Sequence, residues 1–267
     1  MLSLLWWKFD PLANPGSIIS FVNIVCAYFM VNIGMNVVLA VLLSLIISTF
    51  IGFLNGIIIA ELRMPALIVT FASQTIFAGY AYIICGGVPI SRMPESFLKL
   101  GQGYVGPIPV PVIVMVVIFA IGTFILNKTY FGRYFYALGG NEEAALLSGI
   151  KIKVVKCLVY SLSGLFAGIA GLVMLARANT AQPNAGVGYE FDVITCVVLG
   201  GVSVNGGSGK MSNVIAGVLI IGVLSNGMVL MNISSYMQMV IKGIILLLAV
   251  GADCIQQMNL QKTKAIA

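Results

Sequence analysis

Apolar residues run along this chain in long blocks, and a few charged residues punctuate them. From Pro11 to Ala60 there is no Asp, Glu, Lys or Arg. A membrane-crossing helix needs about 20 apolar residues. The stretch therefore predicts two spans, Ser17–Val31 and Val37–Ala60, broken at Asn32, Gly34 and Asn36. A tilt or kink of the second is expected at Gly52 and Gly56. Glu61-Leu62-Arg63 reads as a tight charged turn before a third span, Pro65–Cys85. Gly86–Pro107 is polar and rich in Gly and Pro, which predicts a loop carrying Arg92, Glu95 and Lys99; a fourth span follows at Val110–Asn127. Lys128–Lys156 is the long polar stretch in the middle of the chain. Beyond it come a span at Cys157–Ala176, a loop Ala178–Tyr189, and a short apolar run Val193–Gly209 that turns glycine-rich. Ser212–Met231 and Tyr236–Ala252 complete the series, the last interrupted by Lys242 and followed by a basic tail.

Composition narrows the class. Apolar residues make up 60% of the chain and charged residues 8%, with a mean hydropathy of +1.08. Too few polar side chains remain to coat a water-exposed surface. A soluble enzyme, a nucleic-acid binder and a disordered scaffold are excluded. The expected fold is all-α: a polytopic transmembrane bundle of about eight membrane segments, one of them short and glycine-interrupted, in a single domain spanning residues 1–267. With no histidine, His-based general base catalysis and His-ligated metal sites drop out. Cys26, Cys85, Cys157, Cys196 and Cys254 occur singly, without metal or disulfide spacing, and read as packing residues. Met1–Asp10 lacks the pattern of a cleavable signal peptide. No metal, cofactor or catalytic residue is expected.

The net charge of +6 bears on sidedness. Lys and Arg in short loops mark the cytoplasmic side, and Lys128, Arg133, Lys151, Lys153 and Lys156 crowd one stretch. Alternation then places Lys8, Arg63, Lys210, Lys262 and Lys264 inside, and only Arg92, Lys99 and Arg177 outside. Eight crossings with both termini cytoplasmic is the consistent topology, in a plasma (inner) membrane.

Some motifs carry candidate chemistry. Gly206-Gly207-Ser208-Gly209-Lys210 fails as a phosphate loop, because Val204 and Met211 stand where Gly and Ser/Thr are required. Gly164, Ala167, Gly168 and Gly171 set small residues at close-packing spacing, serving either packing within one subunit or a dimer seam. Gly200, Gly201, Gly206 and Gly207, with Asn226, are candidates for a translocation path or gate; the bland alternative is a tight turn at the membrane surface. Glu190, Asp192 and Lys242 are the ionisable groups nearest the membrane interior, as a functional set or a structural pair. Gly139-Gly140-Asn141-Glu142-Glu143-Ala144-Ala145 through Gly149 carries helix punctuation at both ends: Asn141 as N-cap, two glutamates in the first turn, Gly149 as stop. It predicts a helix Glu142–Ser148 offering Ala144, Ala145, Leu146 and Leu147 as a small apolar surface, or else a solvated amphipathic loop on the membrane.

Several pieces of the chain together resemble the permease subunits of ribose/xylose/galactose-type ABC sugar importers. They are GFLNGIIIAELRMPALIVT (Gly52–Thr70), GRYFYALGGNEEAALLSGI (Gly132–Ile150), Thr180-Ala181-Gln182-Pro183, GYEFDVI (Gly188–Ile194), VVLGGVSVNGGSGK (Val197–Lys210) and ISSYMQMVIKGIILLLAV (Ile233–Val250). The likeness runs in register from about Gly16 to Asp253. Members usually carry a further hydrophobic segment and a GGIDLSVG-type motif ahead of the helix at Ser17; here Lys8–Gly16 follows only Met1–Trp7, so the chain looks like an N-terminally shortened member.

The resemblance implies a transport subunit that works as a pair and performs no chemistry. It implies an extracytoplasmic sugar-binding protein, and a cytoplasmic ATP-binding subunit with two nucleotide sites that contacts Gly139–Gly149. Import of a pentose or hexose is the implied function. Within the family the alternatives are a furanosyl signalling molecule, a nucleoside or a branched-chain amino acid. Outside it they are a secondary transporter, disfavoured by the lack of carboxylates deep in a span, and a truncated, non-functional permease.

Overall fold

Punctuation by caps, glycines and charges sets the helices of the computed structural model, which describes residues 15–202, 207 and 209–266. Helix α1 (Pro15–Ala27) continues as one π-helical turn, Tyr28–Asn32. Asn36 then caps α2 (Val37–Leu62), its Oδ1 accepting from Val38 N–H at 2.9 Å. Arg63 in the left-handed conformation, followed by Pro65, ends α2 and starts α3 (Ala66–Cys85). The expected Gly86–Pro107 loop is more ordered than its composition predicts. It holds α4 (Glu95–Gln102) and the short strands β1 (Ile90–Ser91), β2 (Tyr104–Val105) and β3 (Ile108–Pro109). Helix α4 buries Phe97 and lays Gly101 on the Ala176–Arg177 backbone.

Helix α5 (Val110–Lys128) follows; the polar mid-chain stretch then forms α6 (Tyr130–Gly140) and α7 (Glu142–Leu147). Helix α8 (Ile152–Ala178) begins five residues before the expected span and leads into β4 (Thr180–Ala181), which pairs antiparallel with β1. The last three helices are α9 (Tyr189–Leu199), α10 (Met211–Leu230) and α11 (Ser235–Ile266). Among the described residues, six helices are long and apolar enough to cross a membrane: α2, α3, α5, α8, α10 and the Ser235–Ile255 part of α11. One shorter apolar helix, Gly16–Asn32, joins them among the described residues.

The expected run Val193–Gly209 differs from the observed helix at both ends. Helix α9 starts at Tyr189 and stops at Leu199. Its 11 residues extend about 16 Å at 1.5 Å per residue, roughly half of a hydrocarbon core. Gly201, at φ +69°, makes the stop: its N–H donates to Val198 O at 2.8 Å, and Val202 N–H donates to Val197 O at 3.2 Å.

Helix α8 is the spine of the bundle and lies in the seam of two buried clusters. One gathers α1 with Ile51, Ala81, Phe97, Leu172 and Leu175. The other gathers α5, α9 and α10 with Val159, Tyr160 and Phe166. Lipid tails are as apolar as Leu, so such helices associate through close packing rather than the hydrophobic effect. The α2–α8 seam shows this. Gly52 rests on the Tyr160 carbonyl and Gly164, Gly164 on the Ser48 carbonyl, and Gly168 on the Ser48 side chain. Gly52 and Gly56 do not interrupt α2, which is helical throughout. The small residues at 164, 167, 168 and 171 therefore serve packing inside one subunit. By contrast, α10 and α11 present Leu219, Val223, Leu247 and Leu248 outward.

Candidate functional site

Asn141 leaves the helical conformation (φ −159°, ψ 109°), and its Oδ1 accepts from Ala144 N–H at 3.0 Å. Glu142 and Glu143 occupy the first turn of α7, where the helix dipole favours negative charge. At the other end Gly149 adopts φ +81°. Its N–H donates to Leu146 O at 3.0 Å and Ile150 N–H donates to Ala145 O at 3.1 Å, closing the helix with a Schellman motif. The helix is present as the sequence predicts. Its apolar surface departs from the expected one at Ala145, which is 3% exposed and turns into the protein, whereas Leu146 and Leu147 are 61% and 88% exposed. Ala144 is exposed too.

Ion pairs bind α7 and the last turn of α2 to the base of α8. Lys156 Nζ lies 2.7 Å from Glu142 Oε1, and Lys153 Nζ lies 2.6 Å from Glu61 Oε2. Between them opens a cavity of about 750 Å³ whose lining includes Arg63, Glu142, Glu143, Leu146, Lys153 and Tyr160. The sequence reading missed these pairs, since their partners lie 92 and 14 positions apart.

The glycine-rich turn meets this region. Gly200 backs onto Asn213 and Val214, and Gly217 onto the Cys196 carbonyl, so α9 and α10 pack as a hairpin. Gly207, at φ +72°, sits where a Cβ would stand 2.7 Å from Gly140 Cα and 2.8 Å from Gly139 O. Gly206 lies outside the described residues. Asn226 is exposed near the far end of α10 and is not brought to the glycine turn.

The third group lies around the starts of α1 and α9. Lys242 Nζ of α11 donates to Asp192 Oδ2 of α9 at 2.7 Å, both side chains mostly covered. Glu190 does not join that pair; its carboxyl faces Gly16 at the start of α1. Beside α1, Ser17 lines a narrow void with Asn55, Thr70, Ser73 and Ser163. Ser73 donates to Asn55 Oδ1. Ser20 Oγ accepts from Gly186 N–H at 2.7 Å. These polar side chains were not singled out from sequence, although Ser17, Ser20 and Asn23 recur at three-residue spacing in an apolar helix.

No metal-binding group of three His, Cys, Asp or Glu occurs among the described residues. The arrangement offers packing seams, a capped surface helix and partly covered polar contacts.

Known proteins have similar sequences. Ribose import permease protein RbsC of Bacillus subtilis (strain 168) is 44% identical over 242 residues, covering 90% of this chain and 75% of that protein. RbsC of Escherichia coli (strain K12) is 40% identical over 244 residues, covering 90% and 76%. The L-arabinose transport system permease protein AraH of Escherichia coli (strain K12) is 45% identical over 203 residues, covering 76% and 62%. No solved structure matches significantly. The family model described as "Branched-chain amino acid transport system / permease component" matches residues 16–250. Matched over nearly all of its described helices, the chain belongs to this family of transport-system permeases.

Proposed function

We propose that this chain is the membrane-spanning permease of an ATP-driven importer that carries a monosaccharide, a pentose or hexose. It receives the sugar from an extracytoplasmic binding protein, works as a pair of permease copies, and docks a cytoplasmic ATP-binding subunit with two nucleotide sites. Eight crossings in a plasma membrane, with both termini and the 128–156 region cytoplasmic, complete the reading. The substrate class follows the names of the ribose and arabinose permeases, each at least 40% identical.

The observation that carries the mechanism is the exposed α7. Its Leu146 and Leu147 stand out beside a charged cavity of about 750 Å³. A short helix presenting apolar side chains fits a partner's groove. Gly207 against Gly139 and Gly140 offers a route by which movement of α7 reaches α9 and the interior. The chain's own part is positioning; ATP hydrolysis belongs to the partner.

The family description favours a second reading, import of a branched-chain amino acid. One experiment separates them. The permease is reconstituted with its ATP-binding subunit and binding protein, and uptake of labelled ribose, arabinose and leucine is followed. ATP-dependent uptake of a pentose is expected; leucine uptake alone would replace the sugar reading. Uptake without the ATP-binding subunit would remove the importer mechanism.

A further inference from the structure

Two buried side-chain oxygens have no hydrogen-bond partner among the described residues: Asn23 Oδ1 and Glu190 Oε2. Buried acceptors are normally matched, because desolvation without a partner is costly. Inside a membrane protein no bulk water relieves the deficit. Both oxygens belong to elements that meet along α1. Gly16, Ser20 and Asn23, at i, i+4 and i+7, share one side of the helix. Glu190 stands against Gly16, and Gly186 N–H donates to Ser20 Oγ at 2.7 Å. Asn23 lies seven residues beyond Gly16, about 10 Å along the helix.

This seam is shut, and it shuts on glycine. The Gly16 and Gly186 backbones touch directly; a Cβ on either would run into the other's carbonyl oxygen. The neighbouring void beside Ser17, Asn55 and Ser73 has room for about 10 Å³ only. No described residue donates to either acceptor, while Oδ2 of the adjacent Asp192 is engaged by Lys242. Glu190 Oε2 is thus a buried carboxylate oxygen left without a hydrogen-bond partner among the described residues.

We infer that the seam between α1 and residues 182–190 is the solute-holding gate, with Glu190 and Asn23 accepting from the solute. This deepens the importer reading above and rests on it. Opening the seam breaks the Gly186–Ser20 hydrogen bond. It presents, in order along α1, a carboxylate, a hydroxyl and an amide oxygen. A monosaccharide matches that line, because it carries several O–H donors around one small ring. A branched-chain amino acid offers one ammonium group and an apolar side chain, which leaves the other acceptor unmatched. Glu190 and Asn23 then determine specificity by rejecting solutes that lack the right hydroxyls, since an unpaired buried group penalises the wrong ligand.

The test uses the reconstituted importer, with ribose, arabinose and their singly deoxygenated analogues as probes. Glu190→Gln and Asn23→Leu are expected to reduce pentose uptake about tenfold or more, the worth of one hydrogen bond to a charged or buried group. Each is also expected to narrow the preference for the full sugar over one deoxy analogue. That selectivity change is a readout that a misfolded variant does not produce. The second measurement is thiol labelling of Ser20→Cys, read by mass spectrometry at that residue. The thiol is expected to react faster during ATP turnover, and added pentose is expected to slow the reaction. Wild-type importer that carries leucine but no pentose overturns the importer's sugar reading. Pentose uptake with unchanged selectivity in both variants, or Ser20→Cys labelling indifferent to pentose, overturns the gate while leaving that reading intact.

Discussion

Lys242, eight residues into α11, reaches Asp192 in the first turn of α9, Nζ to Oδ2 at 2.7 Å. Helix α11 is otherwise the least covered of the candidate spans, with none of its 18-residue window buried. The ion pair therefore ties a peripheral helix to the short interior one. The two partners are not equivalent. Asp192 also sits at the N-terminal end of α9, where the helix dipole favours negative charge, whereas Lys242 has no such second support.

Removing either partner should reveal this asymmetry. Asp192→Asn leaves a lone lysine within the bilayer, and Lys242→Met leaves a carboxylate still held by a helix end. Asp192→Asn is expected to be the more destabilising by about 1 kcal/mol, the scale of a charge–dipole contact. Asp192→Asn combined with Lys242→Met should recover most of the loss, because no orphaned charge remains. Thermal unfolding of the detergent-solubilised chain measures all three. Equal loss in the two single variants would show that the helix end contributes nothing.

The α2–α8 seam predicts a sharper contrast among glycines. Gly164→Val forces a side chain into the Ser48 carbonyl and the Gly52 backbone, and overpacking of this kind costs about 1–3 kcal/mol. Gly222 on α10 has open space at its Cβ position, so Gly222→Ala should not lower the melting temperature. A similar loss in both would mean that membrane insertion, not packing, limits stability.

Most of this architecture was legible as blocks of apolar residues, because a lipid-spanning helix leaves a strong one-dimensional signal. The boundary at Asn141 followed from local capping chemistry, and those at Asn36 and Gly86 from polar and glycine breaks, signals that need only neighbours in sequence. What escaped was set by distant partners. Helix α4 lies in a stretch whose Gly and Pro content reads as loop, yet Phe97 and Gly101 pack on the end of α8. The inward turn of Ala145 is set by tertiary packing, and the run Glu142–Leu147, fewer than two turns long, is too short to reveal it by periodicity. The void beside Ser17 joins side chains from α1, α2, α3 and α8, so no single stretch of sequence displays it.

Contact between the glycine turn and the end of α6 yields a paired comparison. Gly201 and Gly207 both have positive φ, +69° and +72°, so alanine is strained at each. Only at 207 would the new Cβ also strike Gly139 and Gly140; at 201 it meets nothing within 4 Å. If α7 acts on α9 through this contact, Gly207→Ala should lower the pentose carried per ATP hydrolysed about threefold or more beyond Gly201→Ala, an interaction of the size expected for residues in direct contact. Uptake and phosphate release in the same vesicles give the ratio. Equal ratios in the two variants would separate the turn from coupling.

On α7, neighbouring residues point in opposite directions, and this separates docking from folding. Leu147 is 88% exposed and Ala145 is 3% exposed, two positions apart in one short helix. If the exposed side enters a groove on the ATP-binding subunit, Leu147→Glu removes an apolar anchor and places an unpaired carboxylate there. Loss of one well-buried Leu is worth about 2 kcal/mol, or a factor of roughly 30 in affinity. The chain itself should stay as stable as before, because Leu147 supports nothing within it. Ala145→Glu should do the reverse first: it drives a charge into a buried position and lowers the melting temperature of the isolated chain before any partner is added. Thermal unfolding of the chain alone, together with co-purification of the ATP-binding subunit, distinguishes the two effects. Full retention of the partner by Leu147→Glu would move the docking surface away from α7, towards the cavity between Arg63 and Lys153.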